Sequence, residues 1–270
     1  LNYYALDRPD VMYQCKEGMR SMSTPTTAYE TKLKRVVRFL KTVPRRVMQY
    51  PWCPLSNEVD VYVDADHAGC HRTRKSILGG AILWSGRYIK GWSKTMDIIA
   101  LSTGESELAA VVRGATEGLG LQSLMQDFGH QISVHLLSDA TAAIGIVKRL
   151  GLGRVRHLAV GDLWIQQRIR QGGVRVSKWP GTRNPADLMM KHKSRPAIDG
   201  YMQYLGFAST PGRPEAAPLR SSGWSVGSPV VYERCPATAE PDARSGNSHL
   251  DEPRCTRGTP GRHPRPQRCT

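Results

Sequence analysis

Four acidic residues stand where predicted strands end or predicted helices begin. They are Asp64, Glu107, Asp139 and Asp187. A buried carboxylate is costly unless it is paired or bound to a metal ion, so several carboxylates that meet at one end of a sheet would bind a hard divalent cation. Any one of them alone is equally typical of a helix cap or a surface acid. The prediction of a metal site therefore depends on all four together.

The first of these acids follows a strand pattern. Valines at every second position of residues 59–63 alternate with more polar side chains as far as Asp64. Residues 77–84 and 87–93 predict two more strands, which a Ser-Gly pair joins by a tight turn. An antiparallel, three-stranded meander thus places Asp64 near the end of its first strand.

The other three acids fall in or beside later elements. In chain order, the sequence predicts a helix over residues 103–128, a strand over 134–137, a helix through 142–147, a helix over 158–171, a strand over 174–179 and a last helix from about 184. Glu107 lies in the first of these helices, Asp139 follows the fourth strand, and Asp187 lies in the last helix. This order predicts an α/β fold with a mixed sheet flanked by helices.

The two ends of the chain differ in character. Thr27 and Glu30 have the spacing of a capping box, and apolar residues then recur at helical intervals as far as residue 42. The other face of this predicted helix is basic, which is typical of a solvated surface or of one that lies along a phosphate backbone. Residues 208–270 contain ten of the 18 prolines and no apolar periodicity, so a disordered tail is predicted.

The 270 residues carry a formal net charge of +15, with a sequence pI of about 9.8. No apolar run reaches the roughly 18–20 residues of a membrane helix, and the first residues lack the apolar core of a signal peptide. We therefore expect a soluble, intracellular protein of the cytoplasm or nucleus with no membrane partner. Six cysteines without a CxxC pair fit neither a disulfide framework nor a zinc ribbon. A first residue of Leu predicts a piece of a longer product.

Several short segments, in their order and spacing, resemble the ribonuclease H domain at the end of copia-type retrotransposon polyproteins. These segments are residues 62–69 (YVDADHAG), 74–76 (RKS), 100–107 (ALSTGESE), 138–139 (SD) with 142–144 (AAI), 156–157 (RH) and 184–191 (NPADLMMK). The resemblance covers residues 57–207. Residues 1–52 resemble the closing stretch of the preceding reverse transcriptase, without a polymerase catalytic motif, and residues 208–270 lie outside both.

The resemblance implies a ribonuclease H-like fold with a mixed five-stranded sheet. It also implies that the four acids bind two Mg²⁺ ions, which Mn²⁺ could replace, and hydrolyse the RNA strand of an RNA–DNA hybrid. Asp64 would bridge both ions, Glu107 and Asp139 would hold the ion on the leaving-group side, and Asp187 would help to place the ion that activates water. Glu105 is the alternative to Glu107.

The same resemblance implies two kinds of partner, the hybrid itself and the reverse transcriptase portion of the same polyprotein. Candidate phosphate contacts are Arg72, Arg74, Lys75, Arg154 and Arg156. His157 would either cap a helix or contact a phosphate.

Several features depart from the family, among them residues 138–141 (SDAT), where Asp-Asn-Gln-Ser is more usual, and the pair Gly172-Gly173 before the last strand. His67 stands where the family usually has Trp, and residues 180–183 lack the His that many cellular ribonucleases H carry before their last helix. The main alternative is therefore an inert remnant of a retroelement, which would bind nucleic acid without cleaving it. An integrase-like strand transferase, which shares the fold, would instead join DNA ends.

Overall fold

The computed structural model describes residues 2–151 and 163–210. The helices are α1 (Asn2–Asp7), α2 (Pro9–Met19), α3 (Thr27–Thr42), α4 (Thr103–Asp127), α5 (Thr141–Lys148), α6 (Trp164–Arg170) and α7 (Arg195–Tyr204), and short 3₁₀ helices cover Gly181–Arg183 and Pro185–Met189. The strands are β1 (Arg45–Met48), β2 (Glu58–Asp66), β3 (Ile77–Trp84), β4 (Arg87–Thr95), β5 (Ser133–Ser138), β6 (Val174–Lys178) and β7 (Phe207–Thr210). None of the helices in these two ranges has the length and apolar character of a membrane span.

Five strands form a mixed sheet in the order β4-β3-β2-β5-β6. The strands β2, β3 and β4 are antiparallel neighbours, whereas β5 pairs parallel with β2 on one side and with β6 on the other. Parallel pairing requires crossover connections, and the helices supply them. The predicted meander and the predicted mixed sheet are both confirmed.

Helix α4 lies across one face of the sheet, and small residues set its distance from the strands. A Cβ added at Gly114 would lie 2.3 Å from Cγ1 of Val63, and one at Gly118 would lie 2.7 Å from Cγ1 of Val134. Glycine at both positions therefore permits a close approach of α4 to β2 and β5. Since residues later in α4 contact earlier parts of the strands, the first turns of α4 reach the carboxyl end of β2.

The second face of the sheet is covered by α2, the 185–189 3₁₀ helix and α7. One apolar cluster joins these elements to the sheet, and its buried members include Val11, Met12, Cys15, Tyr62, Leu137, Met189, Met202 and Leu205. The N-terminal helices therefore pack on the same sheet as the segment that resembles ribonuclease H.

A second, two-stranded sheet links the N-terminal region to the end of the described chain. Strand β1 pairs antiparallel with β7, from Arg45 opposite Thr210 to Met48 opposite Phe207. Phe207 is buried, and Arg46 forms ion pairs with Asp199 of α7 and with the buried Asp10 of α2. Residues 208–210, which the sequence assigned to the disordered tail, are therefore part of the fold.

One predicted element is wrong. Residues 185–189 form a single turn of 3₁₀ helix, and α7 is a separate helix that the sequence analysis missed. The chain leaves the helical path because lysines at 191 and 193 fold back onto Asp187, and Pro196 then occupies the first turn of α7. The helix predicted over 158–171 is described only from Trp164 to Arg170, and its earlier part lies outside the described residues.

Candidate active site

Asp64 and Asp139 lie at the same level on neighbouring strands. In the parallel pairing of β2 with β5, Tyr62 stands opposite Leu137, so two more residues along each strand bring Asp64 opposite Asp139. Neighbouring strands are about 4.8 Å apart. Both carboxylates are half-buried, and Asp64 accepts a hydrogen bond from the Ala65 amide at 2.7 Å. The end of β2 thus carries two adjacent carboxylates from two strands.

The electrostatics place Glu107 with this pair. Burial, as the largest cause, and the negative charges of Asp139 and Asp187 together raise the pKa of Asp64 from 3.8 to about 7. Burial also raises the pKa of Glu107, with Asp139 as the second cause. Asp139 therefore acts on both of the other acids, and the helix acid and the two strand acids share one site.

Asp187 belongs to the same site but is neutralised differently. Its side chain is largely buried, and it forms ion pairs with Lys191 at 2.7 Å and with Lys193. The Tyr201 hydroxyl donates a further hydrogen bond to it at 3.1 Å. Although burial opposes the change, the hydrogen bonds from the two lysines lower the pKa of Asp187. The fourth acid therefore already has cations from its own chain.

Asn184 fixes the turn that carries Asp187. It is fully buried, its Nδ2 donates to the Val63 carbonyl at 2.9 Å, and its Oδ1 accepts from the Ala186 amide at 3.1 Å. Since Val63 immediately precedes Asp64, one side chain connects the 3₁₀ helix to the strand that bears the central acid. Gly181 borders the other side of the site, where an added Cβ would lie 2.3 Å from Oδ2 of Asp139.

The geometry also separates the two candidate acids of α4. Glu105 is buried, and its Oε2 accepts a hydrogen bond from the Leu101 amide at 2.6 Å. The Glu105 amide in turn donates to the capping oxygen of Ser102 at 3.2 Å. This reciprocal arrangement resembles a capping box, except that the glutamate side chain accepts from the amide one residue before the N-cap. Glu105 therefore stabilises the start of the helix. Glu107 remains the acid that is coupled to Asp139.

Three of the predicted phosphate contacts lie on the loop between β2 and β3, at the same end of the sheet as Asp64. Arg72 and Arg74 are exposed, whereas the Lys75 ammonium donates to the carbonyl of Asp97. Lys75 thus ties this loop to the one before α4. The other predicted contacts, Arg154, Arg156 and His157, lie outside the described residues.

Sequence reasoning missed the partners of Asp187. Lys191 was part of the segment that carries the resemblance, but no role was assigned to it, and Lys193 and Tyr201 were not considered. Lys191 and Lys193, four and six residues after the acid, are a signal that could have suggested the ion pairs. Tyr201 lies on the unpredicted α7, so no local pattern pointed to it.

In the described part of the chain, the one group of three or more acidic, His or Cys side chains whose ligand atoms all lie within 4.8 Å of one another is not the predicted quartet. Glu58, Asp60 and His135 have ligand atoms within 4.8 Å of one another, at the amino end of β2. Arg175 already donates to Glu58 at 2.6 Å and 3.1 Å and lies 3.0 Å from Nδ1 of His135. The guanidinium supplies a positive charge to this group, whose members also pair with one another through His135.

The four predicted acids suit a divalent metal by the chemistry of their donor atoms. Carboxylate oxygens are the ligands that Mg²⁺ and Mn²⁺ prefer. The raised pKa values of Asp64 and Glu107 indicate that these carboxylates lack a compensating positive charge of sufficient strength. A mixed five-stranded sheet in this strand order, with helices on both faces, is a ribonuclease H-like fold.

Homologues of the chain are copia-type, retrovirus-related Pol polyproteins of plant transposons, as the sequence resemblance indicated. The chain is 27% identical over 205 residues to the Pol polyprotein of transposon TNT 1-94 of Nicotiana tabacum and 27% identical over 217 residues to that of transposon RE2 of Arabidopsis thaliana. These alignments cover 75% and 78% of the chain but only 15% of each polyprotein. No protein-family profile matches.

Among solved structures, the chain is similar to the N-terminal ribonuclease H domain of Rv2228c from Mycobacterium tuberculosis. That likeness has a TM-score of 0.37 and 14% sequence identity, and it covers 55% of this chain and 98% of the other.

Proposed function

We propose that this chain is a metal-dependent nuclease that hydrolyses the RNA strand of RNA–DNA hybrids, as part of a retrotransposon polyprotein that also contains a reverse transcriptase. One observation carries the proposal. Asp139 is coupled electrostatically to both Asp64 and Glu107 at the carboxyl end of β2, where three elements deliver carboxylates to one place. The polyprotein homologues support the retroelement context.

In this proposal, Asp64, Glu107, Asp139 and Asp187 would hold two Mg²⁺ ions. Such a pair of ions stabilises the attacking and the departing oxygen of a phosphoryl displacement and lowers the pKa of the attacking water. Asp64 would hold the central position, which is supported by its place beside Asp139 on the next strand and by the influence of Asp187 on its pKa. Asn184 positions Asp187 relative to Asp64, and Gly181 leaves room for the Asp139 carboxylate.

Lys191 and Lys193 would act as counter-charges of Asp187 before a divalent ion binds. Both ammonium groups contact the carboxylate oxygens that would become metal ligands. Binding of an ion on this side therefore requires the lysines to give way. Lys191, which is half-exposed, can then turn to the phosphate of the substrate.

Recognition of the hybrid would depend on duplex shape and on 2′-hydroxyl groups, with little reading of base sequence. Arg72 and Arg74 are exposed on the loop after β2 and can contact phosphates from one side of the site. Lys75 supports this loop through its bond to Asp97.

The test is cleavage of an end-labelled RNA–DNA hybrid by the full chain in Mg²⁺ or EDTA. The full chain is required because α2 and β1 pack on the sheet and on β7. Asp139→Asn should abolish metal-dependent cleavage of the RNA strand. Asp127→Asn is the matched control, since Asp127 is exposed at the far end of α4, about 30 Å from Glu107 along the helix. Cleavage that survives in EDTA or in Asp139→Asn would refute the proposal.

The alternative is an inert remnant that binds hybrid without cleaving it. The ion pairs of Asp187 with two lysines favour this alternative, because an internal cation competes with the metal for the fourth ligand. Hybrid binding by the wild-type chain without cleavage in Mg²⁺ or Mn²⁺ would establish it.

A further inference from the structure

Helix α3 presents a basic surface that the proposed active site does not use. None of its residues is fully buried, and its exposed basic side chains are Lys32, Lys34, Arg35, Arg38 and Lys41. Lys34 pairs with Glu30 at 2.7 Å, whereas Lys32 and Arg35 form no ion pair within the part of the chain that the structure describes. Lys32 and Arg35 are three residues apart and so lie on one side of the helix.

This side of α3 faces the segment that leads away from Asp187. Arg195, at the start of α7, lies over the Phe39 ring of α3 with its guanidinium carbon 5.5 Å from the ring centroid, and it donates to Thr42 at 3.4 Å. His192, between the two lysines that hold Asp187, packs edge-on against Tyr13 at 5.0 Å. The helix therefore runs beside residues 190–195, which begin at the active site.

The charges on α3 reach this segment. Burial lowers the pKa of His192, and the positive charges of Lys32 and Arg35 lower it further, against the opposing charge of Glu17. Glu17 itself is paired with Lys16 and Arg20. The surface from residues 191–193 to the first half of α3 thus carries an excess of basic side chains, and its acids Glu17 and Glu30 are paired with basic neighbours.

We propose that Lys32 and Arg35 continue the active site as a basic track, which starts at Lys191 and binds the phosphate backbone of a nucleic-acid duplex as it leaves the site. The inference rests on the proposed function, because the active site fixes where the duplex begins. Lysine and arginine contacts to phosphates hold a duplex in position without reading its bases. The exposed arginines of the β2–β3 loop would supply further phosphate contacts to the same duplex.

The test is the affinity of the full chain for a fluorescently labelled, 20-base-pair RNA–DNA hybrid in EDTA, measured as a function of salt. The double variant K32Q/R35Q should bind about tenfold more weakly near 0.1 M salt, and the slope of log K against log salt should fall by about 1.8, because each lost phosphate contact removes about 0.9. The control K34Q/K41Q removes the same charge from the same helix, about half a turn from Lys32. It should stay within about twofold of the wild type.

Equal affinities of K32Q/R35Q and the wild type, or equal losses in K32Q/R35Q and K34Q/K41Q, would overturn the track. A parallel cleavage assay in Mg²⁺ separates this result from the fate of the proposed function. Cleavage by the wild type with no effect of K32Q/R35Q on binding would refute the track alone. Loss of binding in K32Q/R35Q without any cleavage by the wild type would support the track and refute the nuclease.

Discussion

The two ends of strand β2 carry similar residues in opposite electrostatic situations. At the amino end, Glu58 and Asp60 face His135 of β5, and Arg175 supplies the positive charge from β6, the strand beyond β5. At the carboxyl end, Asp64 meets further carboxylates, and burial with this repulsion raises its pKa to about 7. These two acid clusters differ in the source of the positive charge that compensates them. At the amino end the internal cation lies among all three side chains, whereas at the carboxyl end the internal lysines pair with Asp187 and the pKa values of Asp64 and Glu107 stay raised.

The largest expected difference between the two ends is the change in cleavage rate when one acid at each end is neutralised. Asp64→Asn should lower the rate of hybrid cleavage in Mg²⁺ at least about 100-fold, equivalent to about 2.7 kcal/mol of transition-state stabilisation. Asp60→Asn, on the same strand and face, should leave the rate within about twofold, because its partner is a histidine of the same chain. Similar losses in both variants would show that the two ends do not differ in function.

Metal binding should distinguish the ends without reference to activity. Mg²⁺ at about 100 times its dissociation constant stabilises a folded protein by about 2.7 kcal/mol when the ion binds only the native state. We expect a rise in the melting temperature of the wild type with Mg²⁺, measured by calorimetry, and a much smaller rise in Asp64→Asn. Glu58→Gln should show the rise of the wild type. If Glu58→Gln instead lost the Mg²⁺-dependent rise in melting temperature, the metal would bind at the amino end of β2.

Removing an internal cation should make the carboxyl end a better metal site. Lys193→Met leaves Asp187 with one lysine instead of two, so Mn²⁺ should bind about three- to tenfold more tightly in a calorimetric titration. Lys148→Met, which removes an exposed charge at the end of α5, is the matched control and should leave the affinity unchanged. Weaker binding by Lys193→Met would indicate that the lysine supports the ion.

In EDTA, the free energy of unfolding should decrease as pH rises, because of the carboxyl group of Asp64. Its folded pKa of about 7 exceeds its ordinary value of 3.8, so between these values the folded state binds more protons than the unfolded state, and stability declines as pH rises. Asp64→Asn should therefore melt higher than the wild type at pH 8, by about 2–4 °C for each kcal/mol relieved, and the difference should shrink towards pH 4. A difference in melting temperature that does not change with pH would exclude the Asp64 carboxyl group as the source of the pH dependence.

The smallest effect is expected at the amino end. Arg175→Gln removes a partly exposed ion pair with Glu58, and such pairs contribute at most about 1 kcal/mol. The free energy of unfolding by urea should therefore change by less than about 1 kcal/mol. A larger loss would mean that His135 and Asp60 depend on the guanidinium for their buried positions.

The elements that position the strand acids could be predicted from sequence because their signals are local. Alternating valines before Asp64, the tight turn of the meander and the long apolar period of α4 each depend on residues close in the chain. Helix α3 likewise covers the predicted residues 27–42, although its capping residue is Thr26, which accepts from the Tyr29 amide, and not the predicted Thr27. Asp64, Glu107 and Asp139 were therefore placed in or beside the right elements.

The parts that sequence reasoning missed depend on contacts between distant or irregular segments. Asn184 bonds to Val63 across 121 residues, and β1 pairs with β7, which is only four residues long. Such short strands carry too little periodicity to be predicted. The 3₁₀ turn at Asp187 follows from ion pairs with lysines that come later in the chain, so helix propensity alone extended the helix too far.

The pairing of β1 with β7 has a consequence for the order of folding during synthesis. Arg45 and Thr210 are 165 residues apart in the chain, so the N-terminal segment cannot complete its sheet until nearly all of the described fold has been made. Val11 and Met12 of α2 likewise cannot be buried until the sheet on which they pack has formed. The first part of the fold to leave the ribosome is therefore among the last to reach its native contacts, and its apolar side chains stay exposed to chaperones and to proteases in the interval.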